Sequence, residues 1–397
     1  MNVNLGLSIE SIELLLLIAA VVAMLARRLH VPYSIGLVLA GITLALLPFS
    51  PKVQLTRDLI FTVLLPPLIF EAAFYLNWKE LRRDLPVILV LASVGVLLSA
   101  AITALGMHLI VGWQWPGALV FGVLIAATDP VSVIATFKEA GVIGRLRLLV
   151  EAESLFNDGA AAVTFAIVIG LATGHDLTPT NMIGTLVAMV GGGIVCGVVV
   201  AGILLFIAGR TDDHLAEITF TTVAAYGSFL LAEHFHLSGV LATLTAGLML
   251  GSLGSLGSIS DKGREAVEAF WEYAAFVANS LVFLLIGMYE AHQNFTSVWR
   301  SALVAMLLVI LGRAMAVYPL CFSFSWSTRR VSRQHQHILF WGGLRGALAL
   351  ALALGLPVEL PGREEIITVT FAVVAFSTFV QGLTITPLLR RMGELPG

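Results

Sequence analysis

Residues 127–133 read Ala127-Thr128-Asp129-Pro130-Val131-Ser132-Val133, an aspartate followed by a proline inside an apolar run that spans roughly residues 115 to 137. Proline has no backbone N–H and disfavours helical geometry at the residue before it, so the carbonyls around Thr128 lose their helical partners. Freed carbonyls beside a carboxylate can ligate a cation; the competing reading is a kinked helix whose Asp129 bonds to loosened backbone. A second apolar run, near 335 to 356, is interrupted in the same way by Gly342-Gly343 within Trp341-Gly342-Gly343-Leu344-Arg345-Gly346. Broken hydrophobic runs at corresponding places in two halves of a chain point to a transport site.

Outward from these two stretches, apolar runs recur along the whole chain. Each is roughly 17 to 25 residues, long enough to cross a hydrocarbon core of about 30 Å as a helix. The 397 residues are 58% hydrophobic and 12% charged, with a mean hydropathy of +0.96. That is about half the charge of an ordinary soluble domain, and no soluble domain fits between the runs. The net charge of -3 has no basic patch behind it, which excludes nucleic-acid binding. The two cysteines, Cys196 and Cys321, sit singly in apolar runs and read as packing residues. The start of the chain lacks a basic segment ahead of its first apolar run, so that run reads as a span and not as a cleaved leader.

The runs give thirteen spans, near 10–26, 32–49, 57–76, 86–112, 115–137, 148–172, 182–208, 215–233, 237–257, 270–290, 298–323, 335–356 and 364–389. Threading them back and forth and leaving out Arg313 and Arg345, which lie within spans, puts sixteen of the 22 lysines and arginines on one side and four on the other. Lys52, Arg57, Arg300 and Arg363 are the four. The crowded side is expected to be cytoplasmic, with the N-terminus outside. Thirteen spans divide into a first repeat over 10–172, a linker span over 182–208 and a second repeat over 215–391. Corresponding helices then lie seven spans apart and upside down to each other. Ser34-Ile-Gly-Leu-Val-Leu-Ala-Gly41 weakly matches Ser238-Gly-Val-Leu-Ala-Thr-Leu-Thr-Ala-Gly247, in keeping with such an inverted repeat.

Charges inside spans cost about 2.5 to 3.5 kcal/mol each on insertion scales, so each is a functional candidate. Six stand out: Glu71, Asp129, Glu153, Asp158, Arg313 and Arg345. The acidic surplus among them would be balanced by a cation or a proton. Asp158 follows Ser154 by four residues, which puts hydroxyl and carboxylate on one helical face. Oxygens from Asp158, Ser154 and the Thr128 carbonyl suit a small, hard cation, and the same carboxylate can take a proton instead. A structural polar network is the alternative. Glu153 lies five residues from Asp158, about 500° of helical rotation, and so on another face. Arg345 is its expected partner, since an unpaired guanidinium there would be costly. Arg313 reads as structural, with Glu71 or a carbonyl as its partner. Glu71, after an expected break at Pro66-Pro67, either serves the site through water or faces a cytoplasmic funnel. His335 and His337 either tune the pH response or are simply solvated.

The stretches PYSIGLVLAGI, LLPPLIFEAAF, AATDPVSVIATFKEAG, EAESLFNDGAAAVTF, HLSGVLATLTAGLMLG, FWEYAAFVANSLVFLLIGM, WGGLRGALALALAL and FSTFVQGLTITPLL together resemble the cation/proton antiporter 1 group, in family order and over nearly the whole chain. That group includes microbial sodium/proton antiporters and animal sodium/proton exchangers. The resemblance implies an all-α polytopic membrane protein of about thirteen helices, with two inverted six-helix repeats and crossed discontinuous helices. It implies a homodimer in the cell membrane that moves by an elevator-like shift, serving pH homeostasis with no cofactor beyond the transported ions. It places the Na+ site on Asp158, Asp129, Ser154 and the Thr128 backbone, with Glu71 a nearby acid, Asn157 orienting the unwound region, and Glu153 with Arg345 as a structural ion pair. The pair Asn157-Asp158, where electrogenic relatives carry two aspartates, implies electroneutral one-for-one exchange of Na+, or of Li+, for H+. K+/H+ exchange by the same route is the runner-up. Many animal and plant members continue into a long cytoplasmic regulatory tail, whereas this sequence stops at Gly397, which puts tail-based regulation in doubt.

Two other classes fare worse than transport. An intramembrane aspartyl protease would use two aspartates sharing a proton, but its Gly-x-Gly-Asp signature is missing; the zinc and nucleophile-turn motifs are missing too. A cation channel would build its pore from backbone carbonyls or charge rings, not from two inverted halves around a titratable site.

Overall fold

A computed structural model of the chain describes residues 9–29, 32–48, 55–129, 133, 134, 137, 142, 144–174, 178–208, 213–253 and 261–394. Fourteen helices and no strands lie among them. In chain order they are α1 Ile9–Leu29, α2 Tyr33–Ala45, α3 Leu59–Tyr75, α4 Trp78–Val111, α5 Trp115–Leu124, α6 Arg145–Ala172 and α7 Pro179–Ala208. There follow α8 His214–His234, α9 Gly239–Leu253, α10 Asp261–Glu290, α11 Trp299–Ser323, α12 Arg333–Trp341, α13 Ala347–Leu354 and α14 Arg363–Arg391. Seven are long and apolar enough to cross a membrane. Within a bilayer a helix satisfies its own backbone, which suits the helices found among the described residues of so apolar a chain.

The helices pack as two groups. In one, α2 lies along α10, α3 along α9, and α7 and α8 close around α9, with α1 against α2 and α10. In the other, α4 and α11 pack together, α5 lies on α4 and α6, and α13 rests on α14 and α5. Lipid offers no hydrophobic drive between helices, so contact depends on close backbone approach through small residues. At the α2–α10 crossing Gly41 backs onto the Leu284 carbonyl and Gly287 onto the Val38 carbonyl, and a Cβ at either would collide with the opposite backbone. In the second group Arg145, at the start of α6, holds Asp84 of α4 through Nη2 at 2.7 Å. It also donates to the carbonyls of Arg329 and Arg330, each at 2.7 Å, tying the α11–α12 turn to the same end.

Each expected span coincides with a helix or, for the interrupted ones, with helical pieces. The Pro66-Pro67 pair does not break α3. A π-helical turn over Leu59–Leu64 runs straight into the α-helical part at Leu65, and the Val63 carbonyl, which loses a helical partner to Pro67, accepts Tyr226 Oη at 3.0 Å instead. The fifth run leaves helical geometry at Leu124, before the Thr128-Asp129-Pro130 signal. Pro130 itself lies outside the described residues. The twelfth run breaks where expected, between Trp341 and Ala347. Cys321 is buried and Cys196 half-buried, and both are free thiols.

Candidate ion-binding site

The two breaks meet. Asp129 N donates to the Leu344 carbonyl at 2.7 Å in an antiparallel bridge. Gly346 faces the Asp129 carboxylate so closely that a Cβ there would strike it. Non-helical backbone at membrane depth is tolerated only where protein or a cavity satisfies it, and here the satisfaction is traceable. Arg345 Nη1 donates to the carbonyls of Ala126 and Ala127 at 2.7 and 2.9 Å. Ser154 Oγ on α6 donates to the next carbonyl, Thr128, and receives a bond from Thr128 Oγ1 at 3.3 Å. Three successive carbonyls past the end of α5 are thus capped by a cation and a hydroxyl, where the helix dipole is negative.

The expected Glu153–Arg345 pair does not form. Glu153 is bound in a fork by Arg313 of α11, Nη1 to Oε1 at 2.7 Å and Nη2 to Oε2 at 2.9 Å, and Arg313 Nη2 also donates to the Leu339 carbonyl at 2.9 Å. Arg313 therefore pairs with neither Glu71 nor a carbonyl alone. The geometric reason is that Arg345 is drawn to the carbonyls orphaned at the α5 break, leaving the planar fork of Arg313 to match the Glu153 carboxylate. Asn157 Nδ2 joins this pair, donating to Glu153 Oε1 at 3.4 Å; all three residues are buried.

Asp158, on the other face of α6, lines a cavity of about 700 Å³ between the two helix groups. Thr128, Asp129 and Glu71 line it as well, so four of the residues singled out from sequence share one space. Ser154 sits behind it, one hydrogen bond away through Thr128. Asp158 Oδ1 is buried and has no hydrogen-bond partner among the described residues. A carboxylate oxygen held in this way is available to a cation or a proton. The opposite wall brings Tyr33 of α2 and Glu272 and Asn279 of α10, which sequence reasoning does not single out. A signal is nonetheless present: Glu272 and Asn279 are seven residues apart, two turns on one face of an otherwise apolar stretch. The histidines at the start of α12 are not part of this cavity. His335 Nε2 lies 3.3 Å from Glu394 Oε1, and His337 Nδ1 shares a hydrogen bond with Tyr318 Oη at 2.8 Å.

Comparison with known proteins agrees with this architecture. Residues 15–391 match the family described as sodium/hydrogen exchanger, transmembrane. The chain is 39% identical to the Na(+)/H(+) antiporter ApNhaP of Aphanothece halophytica, over 92% of this chain and 70% of that one. It is 34% identical to the Na(+)/H(+) antiporter NhaH of Halobacillus aidingensis, over 96% of this chain and 97% of that one. Its fold matches that of the sodium proton antiporter MjNhaP1 from Methanocaldococcus jannaschii with a TM-score of 0.78, covering 98% of each chain at 21% identity. The chain is a multi-pass membrane protein of the sodium/hydrogen exchanger family.

Proposed function

We propose that this chain is a secondary active antiporter, not an enzyme, that exchanges Na+ or Li+ for H+ by letting cation and proton compete for the Asp158 carboxylate. The observation that carries this is the cavity between the helix groups, which receives Asp158, Asp129 and Thr128 from one group and Glu71 from the other. A bound Na+ takes oxygens from Asp158 and Asp129, from the Thr128 carbonyl and from Ser154 once its hydroxyl turns away from that carbonyl. Glu71 lies on the approach. Asn157 contributes an amide where a second carboxylate would add another titrating charge. One proton therefore replaces one cation, and no net charge moves. Asn157 also steadies α6 through its bond to Glu153.

Alternating access follows from the same division. The group carrying Asp129 and Asp158 slides as a body against the other group, taking the site from one membrane face to the other. Joined breaks at α5 and α12–α13 keep the site intact during that movement, in keeping with two inverted repeats about α7. The excess of basic residues at one end supports an extracellular N-terminus and a cytoplasmic C-terminus in the cell membrane. A homodimer through the first group would hold it still while the second moves. No cofactor takes part.

The test is transport by purified protein in liposomes with an imposed pH gradient, following lumenal pH on adding Na+, Li+ or K+, with voltage clamped or free. Na+- and Li+-dependent collapse of the gradient, insensitive to voltage and lost in Asp158→Asn, is expected. Collapse driven by K+ alone would reassign the cation. Equal transport by the variant, or flux without a counter-ion, would overturn the reading.

A further inference from the structure

The turn of α14 over Ser377–Gln381 is π-helical, a local widening that is rare in helices and concentrates at functional sites. Here it faces the α12–α13 break. Ser377 Oγ accepts the backbone N–H of Arg345 at 2.8 Å and donates to Gln381 Oε1 at 2.8 Å. Gln381 Nε2 reaches back to the Trp341 carbonyl at 3.4 Å, and one turn further on Thr384 Oγ1 accepts from Trp341 Nε1 at 2.8 Å. Ser377 is fully buried and Gln381 nearly so.

Trp341 is the last residue of α12, and Arg345 lies just before the start of α13. A break in a helix orphans carbonyls on one side and N–H groups on the other, and the Ser377–Gln381 pair takes one of each. The amide of Gln381 can do this because it both accepts and donates; a carboxylate or an apolar side chain cannot. From Arg345 the geometry passes to the site. Its guanidinium fixes the Ala126 and Ala127 carbonyls, the residue before it accepts the Asp129 N–H, and the residue after it, Gly346, abuts the Asp129 carboxylate.

We infer that Ser377 and Gln381 are positioning residues for the exchange reaction, clamping both lips of the α12–α13 break so that Asp129 and the Thr128 carbonyl stand at ligand distance from one cation. Neither lines the cavity, so their effect is exerted through Arg345. The inference rests on the cation-exchange reading given above. A loosened clamp leaves the fold and the sliding movement in place but spreads the ligand oxygens. Its signature is a weakened apparent cation affinity with turnover maintained.

The experiment compares the parent with Ser377→Ala, Ser377→Thr and Gln381→Leu in liposomes, measuring the KM for Na+ and kcat separately at one pH, together with melting temperature with and without Na+. The expected result is a KM raised about tenfold in Ser377→Ala and Gln381→Leu, in line with the loss of one buried hydrogen bond. Their kcat should stay within about twofold and the Na+-dependent rise in melting temperature should shrink, with Ser377→Thr restoring both because it keeps the hydroxyl. Unchanged KM in both variants would overturn the clamp, as would a fall in kcat matched by a loss of melting temperature in Na+-free buffer, which marks a merely structural role. If the parent itself shows no Na+-dependent proton flux, the exchange reading fails, an outcome distinct from failure of the clamp.

Discussion

Neutralising Glu153 strands the Arg313 guanidinium in a site that is 7% exposed, leaving one further acceptor, the Leu339 carbonyl. Removing one partner of a buried ion pair costs about 3 to 5 kcal/mol. Glu153→Gln should therefore melt well below the parent in detergent, and Arg313→Met combined with Glu153→Leu should recover much of that loss. Asp158→Asn strands no partner of Asp158 Oδ1, which has none among the described residues, and should melt no lower than the parent. A melting temperature that falls equally in Glu153→Gln and Asp158→Asn would contradict this division of labour on α6. The division itself is legible in the sequence: a five-residue spacing puts the two acids on different faces. The partner of Glu153 is not, because two arginines lie within spans and only packing decides which reaches α6. Sequence reasoning assigns Arg345 to Glu153, whereas the carbonyls orphaned at residues 126 and 127 compete for it, and a sequence does not display that they lie beside Arg345.

Hydropathy locates every span but underestimates the longest. The expected span at 86 is the later part of α4, which starts at Trp78, and the one at 270 belongs to α10, which starts at Asp261. The extra turns are charged, with Lys79, Arg82, Arg83 and Asp84 on α4 and Lys262, Arg264 and Glu265 on α10. Asp84, the buried one among those of α4, is held by Arg145. Apolar content marks the hydrocarbon layer, whereas a helix continues past it wherever its backbone bonds remain satisfied. The breaks are legible through Pro130 and Gly342-Gly343. The π turns, including the one at Ser377, are not, because they carry no distinctive residue. At the α2–α10 crossing the prediction is steric: Gly287→Leu forces the helices apart and should lower the melting temperature and the yield of folded protein. The exposed Gly184, which meets nothing within 4 Å, should tolerate alanine. Equal tolerance at both positions would mean that the crossing is not a close contact.

Across the whole molecule, the cavity is the consequence of having two helix groups that each contribute acids to a shared boundary. In the proposed mechanism, sliding one group against the other exposes Asp158 to either side in turn, and the carboxylate carries a cation or a proton on each passage, since an uncompensated carboxylate crossing an apolar boundary is costly. On that proposal coupling resides in a single competition. The measurement that tests it most directly is initial Na+-driven proton flux in liposomes over a range of Na+ concentrations at several pH values. The account predicts that acidification raises the KM for Na+, approaching about tenfold per pH unit once the proton-bound form dominates, with the maximal rate at saturating Na+ unchanged. A KM indifferent to pH, with the maximal rate alone falling, would contradict it and place the proton on a group other than the one that binds the cation.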